Sequence, residues 1–101
     1  MYAVVNYLHL NVPVEQISAA AEQEGLSVLK ALPGFEGINL VKVADDRLIV
    51  ILYWDSATNA ANGAKTFGPT WFAQNIAPYL ASEQQRSGGE VSLHYQKQDM
   101  S

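Results

Sequence analysis

Seven consecutive residues, Leu48 to Trp54 (LIVILYW), are apolar with no polar face. The run is far short of the ~20 residues that span a bilayer. Its β-branched and aromatic content reads as a strand covered on both sides. The chain opens on a second such segment, Tyr2 to Leu10, where Asn6 interrupts an otherwise greasy pattern. Any fold for this chain must therefore hide both faces of two strands.

The remaining segments define what surrounds them. Pro13 suits the first position of a helix, and Val14, Ile17, Ala21, Gly25, Val28 and Leu32 recur at helical spacing over about five turns. Gly25 on that stripe predicts close approach of helix and sheet. Leu32-Pro33-Gly34-Phe35-Glu36-Gly37 stops the helix. Ile38 to Ala44 reads as a strand with Ile38, Leu40 and Lys42 on one face, Asp45-Asp46 as a solvated turn, and Arg47 to Trp54 as the next strand. Asp55-Ser56 offers an N-cap for a second helical region expected to reach about Gln85, broken at Phe67-Gly68-Pro69. Ser87-Gly88-Gly89 reads as a loop. Val91, Leu93 and Tyr95, alternating with Ser92, His94 and Gln96, read as the last strand, followed by a polar tail from Lys97.

The order β-α-β-β-α-β is that of a single α+β domain over residues 1–101, a ferredoxin-like split βαβ with a four-stranded antiparallel sheet. The two wholly apolar strands belong in its middle, giving the order 4-1-3-2. Two helices cover only one face of such a sheet. Leaving the other face wet would cost on the order of 5–10 kcal/mol, comparable to the stability of a domain. A second copy of the chain, sheet against sheet, is the expected cover.

Composition narrows the partners. Ten acidic against 6 basic residues give a net charge of −4, and no six-residue window holds more than two basic residues. Nucleic acid and anionic membrane are therefore not expected partners. No cysteine is present, which removes disulfides, a thiolate nucleophile and thiolate zinc sites and fits a cytoplasmic location. The start of the chain has no signal-peptide pattern.

The residues suited to chemistry are few. Asn6 needs partners if it is buried, and a substrate carbonyl or enolate is one choice. Trp54 and Trp71 suit the walls of a pocket for a flat molecule, with Phe67 and Phe72 beside them. His9 and His94 are the only histidines. On neighbouring strands they would approach one another, and either would serve as a general base near neutral pH. Two histidines without converging carboxylates make no metal site. No nucleophile elbow or glycine-rich nucleotide loop occurs.

Over nearly its full length the chain resembles the antibiotic biosynthesis monooxygenase-like domains of the dimeric α/β-barrel superfamily. The resemblance rests on Leu32-Pro33-Gly34-Phe35-Glu36-Gly37, on Tyr53-Trp54-Asp55-Ser56 and on the late-helix run from Phe67 to Leu80. It implies a homodimer closed through the sheet faces, with a pocket in each subunit between sheet and helices into which Asn6 and Trp54 point. The quinone-forming members deprotonate a hydroxyarene and let its carbanion react with O₂, without metal or flavin. Of their four pocket residues only Trp54 is matched, the other counterparts being Val50, Ala60 and Gln74. The haem-degrading members pair a strand-one Asn, matched by Asn6, with a Trp and a His whose counterparts fall near Gly63 and Ala73.

The resemblance thus implies a cofactor-independent monooxygenase for a small apolar, aromatic or polyketide-like substrate. Asn6 and His94 would be catalytic, and Trp54, Phe67, Trp71 and Phe72 would bind substrate. The alternatives are a non-catalytic small-ligand-binding or stress-response protein of the same fold, or a structural assembly subunit.

Overall fold

The computed structural model describes residues 1–97. Strand β1 is Tyr2–His9, β2 Phe35–Ala44, β3 Arg47–Trp54 and β4 Gln85–Glu90. They form one antiparallel sheet in the order β2-β3-β1-β4, with the two apolar strands in the centre as their polarity demands. Helix α1 covers residues 14–30 and helix α2 residues 57–75, followed by a short 3₁₀ turn at Ala77–Tyr79. This is the ferredoxin-like arrangement. Among the described residues no helix is long and apolar enough to cross a membrane.

Both helices depart from the expected regularity in the same way. In α1 the segments Val14–Ala20 and Leu26–Lys30 are joined by a π-turn, Ala21–Gly25. The extra residue in that turn rotates the last part of the helix, so Leu29 is buried where the simple stripe predicts Val28. In α2 the expected break at Phe67-Gly68-Pro69 is absent. A second π-turn, Gly68–Phe72, carries the helix from Ala57–Phe67 into Ala73–Asn75. Pro69 brings no N–H to the helical ladder. The wider turn accommodates it, and the Thr70 hydroxyl donates to the carbonyls of Thr66 and Phe67.

The last third of the chain also differs. Helical structure ends at Tyr79, short of Gln85, and the final strand is Gln85–Glu90, not Val91 to Gln96. The cause is the free edge of β1. Emerging from Tyr79, the chain meets that edge at once: the Asn11 amide donates to the Tyr79 carbonyl, and the Ala81 amide to His9. Pairing then runs from Tyr7 opposite Gln85 to Tyr2 opposite Glu90. Gly88 and Gly89, expected in a loop, lie within this strand. At Gly88 a side chain would meet the Tyr2 ring, with its Cβ 2.8 Å from the phenol oxygen. Leu93 and Tyr95, left beyond the ladder, are 85% and 81% exposed.

Two sequence markers pack on one another. Gly34 ends the helix-stop loop at φ +79, and its carbonyl accepts from the Asp55 amide at 2.8 Å. Ser56 caps α2 by accepting from the Asn59 amide, while the Asn59 side chain donates to Asp55. A Cβ at Gly34 would run into Asp55 and Asn59. Gly34→Ala is therefore expected to cost about 2–3 kcal/mol, combining left-handed strain with the displaced cap, as urea denaturation would measure. Parity with wild type would show that the contact carries no energy.

The two faces of the sheet have different fates. Val4, Leu8, Leu48 and Trp54 point at the helices and are buried. Lys42, at the end of that face, reaches Glu15 on α1; their hydrogen bond holds the carboxyl below and the ammonium above the ordinary range. Both groups are exposed, so the pair adds little stability. The opposite face carries Val5, Tyr7, Ile49, Ile51 and Tyr53 across the two central strands, with Val41 and Val43 on β2. Among the described residues no element covers it, and Tyr7 is 48% exposed.

Candidate functional site

The core under the helices is divided. One buried cluster holds Leu8, Leu10, Val14, Ile17, Leu48, Trp71 and Ile76. The other holds Val4, Leu29, Trp54 and Ala60. Phe67 packs against both. A cavity of about 100 Å³, bordered by residues of both clusters, opens between sheet and helices. Protein interiors pack to crystal density, so an apolar void of this kind is a place for a ligand.

Each tryptophan is seated by a glycine on a helix. The Trp54 ring lies against Gly63 of α2, where a Cβ would overlap it, and Phe35 meets it edge-on at 5.5 Å. The Trp71 ring lies against Gly25, where a Cβ would stand 2.9 Å from Cη2, and Phe67 stacks on it at 5.5 Å. Gly25 thus admits an indole from the other helix, which corrects the expectation that it brings its own helix onto the sheet. Both glycines border the cavity, and so do both π-turns: the first contributes Ala21 and Gly25, the second Gly68, Trp71 and Phe72. Widened turns of this type are frequent at functional sites.

Asn6, Trp54, Phe67, Trp71 and Phe72, all singled out from the sequence, border this one cavity. Among the described residues no protein group hydrogen-bonds the Asn6 side chain, so its amide is free to meet a ligand. The Trp71 indole nitrogen is buried without a partner, and so is Oε1 of Gln84. Unpaired buried polar atoms cost about 1–3 kcal/mol each and call for an explanation. Both residues line the cavity.

His94 is not part of this site. It lies beyond β4, is exposed, and does not border the cavity. Nor does it meet His9. Because β4 starts six residues earlier than the alternation of Val91, Leu93 and Tyr95 implies, His94 lies beyond the Tyr2 end of β1 and His9 at the other end. Roughly 23 Å of strand separates those ends. His9 instead contacts Asp46 of the β2–β3 turn at 3.2 Å.

Two polar lining residues are not foreseen by the sequence pattern, Gln84 and Arg86. Both lie where helix and loop were expected, and only the β4 pairing, which sets Arg86 opposite Asn6, brings Arg86 to the cavity. The lone basic residue between Lys65 and Lys97 was the available signal.

No family model matches the sequence, and no curated protein matches it. Solved structures do. The monooxygenase ActVA-Orf6 of Streptomyces coelicolor, solved with nanaomycin D, has a TM-score of 0.76 at 14% identity, covering 96% of this chain and 92% of that one. SnoaB, a cofactor-independent oxygenase from Streptomyces nogalater, has a TM-score of 0.75 at 13% identity, covering 95% and 97%. A Bordetella bronchiseptica protein described as an antibiotic biosynthesis monooxygenase has a TM-score of 0.75 at 14% identity, covering 91% and 97%. The chain has the fold of the antibiotic biosynthesis monooxygenase-like proteins.

Within that fold, the cavity of this chain has its own chemistry. Its lining contains no His, Asp, Glu, Lys or Tyr, and Arg86 is its single charged residue. Among the described residues no cluster of His, Cys, Asp and Glu is fit to hold a metal. The residues present do not suit haem iron either, since no axial ligand faces the cavity.

Proposed function

We propose that this chain is a cofactor-independent monooxygenase acting on a flat, apolar, hydroxylated aromatic or polyketide-like molecule bound between sheet and helices. The observation that carries this reading is the Asn6 amide, without a protein partner on the floor of a pocket walled by Trp54 and Trp71. An indole-walled slot accepts a flat ring system, and an amide donor on its floor suits an enolate oxygen.

The reaction is R₂CH₂ + O₂ → R₂C=O + H₂O. The activated carbon loses a proton, which leaves through the open mouth to solvent. Asn6 holds the resulting enolate, which passes one electron to O₂. The two radicals combine to a peroxide, which takes up the proton; loss of water then leaves the carbonyl. Apolar walls favour O₂ beside the ring and exclude competing water.

One observation favours a second reading, a binding protein without turnover: no residue able to act as a base lines the pocket. Aerobic and anaerobic incubations with an anthrone-type substrate separate the two. Oxygenase action gives quinone in air and unchanged anthrone without it. Recovery of unchanged ligand under both conditions, with a raised melting temperature, would leave binding alone.

In the same proposal two copies pack their open sheet faces together. The uncovered Val5, Tyr7, Ile49, Ile51 and Tyr53 support it.

A further inference from the structure

Arg86 on β4 stands in register with Asn6 on β1, so the two side chains rise side by side from the same floor. The rest of that floor, from Val50 and Leu52 to Ile38 and Leu40, is apolar. The pocket therefore has a greasy side and one cationic corner, where Gln84 adds an unpaired buried oxygen. Trp71 contributes a buried, unpaired N–H to the same lining. Among the described residues no carboxylate lies within ion-pair distance of Arg86. The Tyr2 phenol shares a neighbouring cavity with Arg86, and Glu90 lies further along its own strand face; neither lines the main pocket. From α2 it is faced by the uncharged Ala57, Ala60 and Ala61.

We propose that Arg86 makes this pocket selective for the ionised form of its ligand: a flat apolar ring system bearing one acidic oxygen, set against the guanidinium and the Asn6 amide. The proposal rests on the pocket being a ligand site and adds the charge that the ligand carries. An apolar slot by itself disfavours a bound anion through desolvation, whereas one adjacent cation reverses the sign. A guanidinium keeps its charge at any working pH and offers several donors. With no base in the lining, the acidity that the chemistry needs comes from the ligand itself, enhanced by Arg86.

The test uses 4-nitrophenol, whose phenolate absorbs in the visible, titrated with pH in the presence of excess protein. Wild type is expected to hold the bound probe's pKa at least about one unit below its free value, a tenfold preference for the anion. In Arg86→Gln the bound probe should titrate at or above its free value, with Arg86→Lys intermediate and high salt narrowing the difference. Arg86 is exposed, so these variants should melt near wild type, as circular dichroism would check. Tryptophan quenching by 2-naphthoate against 2-naphthamide then distinguishes a site open to carboxylates from one restricted to phenolates, and either result supports an anion site. Equal affinity for both protonation states, or the same preference in Arg86→Gln, would overturn the role of Arg86 and leave the pocket standing. Failure of every probe to bind would remove the ligand site and this proposal together.

Discussion

Gly63→Ala is expected to destabilise the protein by about 2 kcal/mol and to abolish ligand binding. The added methyl overlaps three atoms of the Trp54 six-membered ring. That ring is 2% exposed and packed among Val4, Leu29 and Ala60. Overpacking a core costs about 1–3 kcal/mol, and overlap this severe belongs at or above the top of that range. Replacing a mid-helix glycine returns up to about 1 kcal/mol. Gly68→Ala supplies the control: nothing lies within 4 Å of its added methyl, so it should be no less stable than wild type and up to about 1 kcal/mol more stable. Gly25→Ala should fall between, because its added methyl stands 2.9 Å from the nearest Trp71 atom, against a deeper overlap with Trp54 at Gly63. Urea denaturation of the three variants gives the order. Equal stabilities at positions 63 and 68 would mean that Trp54 is not seated on α2 as described.

In the proposed dimer, Ile51→Lys is expected to separate the two copies into folded monomers. Ile51 lies mid-strand on β3, beside Val5 on β1 and Asn39 on β2, at the centre of the uncovered face. In the proposed sheet-on-sheet dimer the centre of this face is buried against the other copy, and a lysine there brings a charge into the interface. Burying an unpaired charge costs several kcal/mol, and about 4 kcal/mol raises the dissociation constant roughly 10³-fold. The monomer itself should keep its fold, since among the described residues nothing packs on this face. Sedimentation velocity at micromolar concentration reads the outcome. Wild type sedimenting as a compact monomer would end the dimer proposal.

The central sheet was legible because burial on both sides leaves a mark on every residue of a strand: Tyr2–His9 and Arg47–Trp54 show it and occupy the middle. The helix-stop loop at Gly34 and the cap at Ser56 were legible because each depends on local backbone chemistry. Five pocket residues were legible as aromatic or amide groups in apolar segments. The first helix was read correctly in place but not in phase, and the second was given a break it lacks and an end beyond Tyr79. A π-turn adds one residue per turn, and nothing in a pattern of 3.6 announces it.

The sequence by itself determined which strands are central, where the chain turns, and that one sheet face must find a cover. Only the tertiary structure decided the last strand. An edge strand is held by main-chain hydrogen bonds, which any residue but proline donates, so QRSGGE pairs with β1 although the later alternation of Val91, Leu93 and Tyr95 looks more strand-like. That choice carries Arg86 to the floor of the pocket and His94 away from it. The charge of the site thus comes from a backbone register that side-chain patterning does not encode.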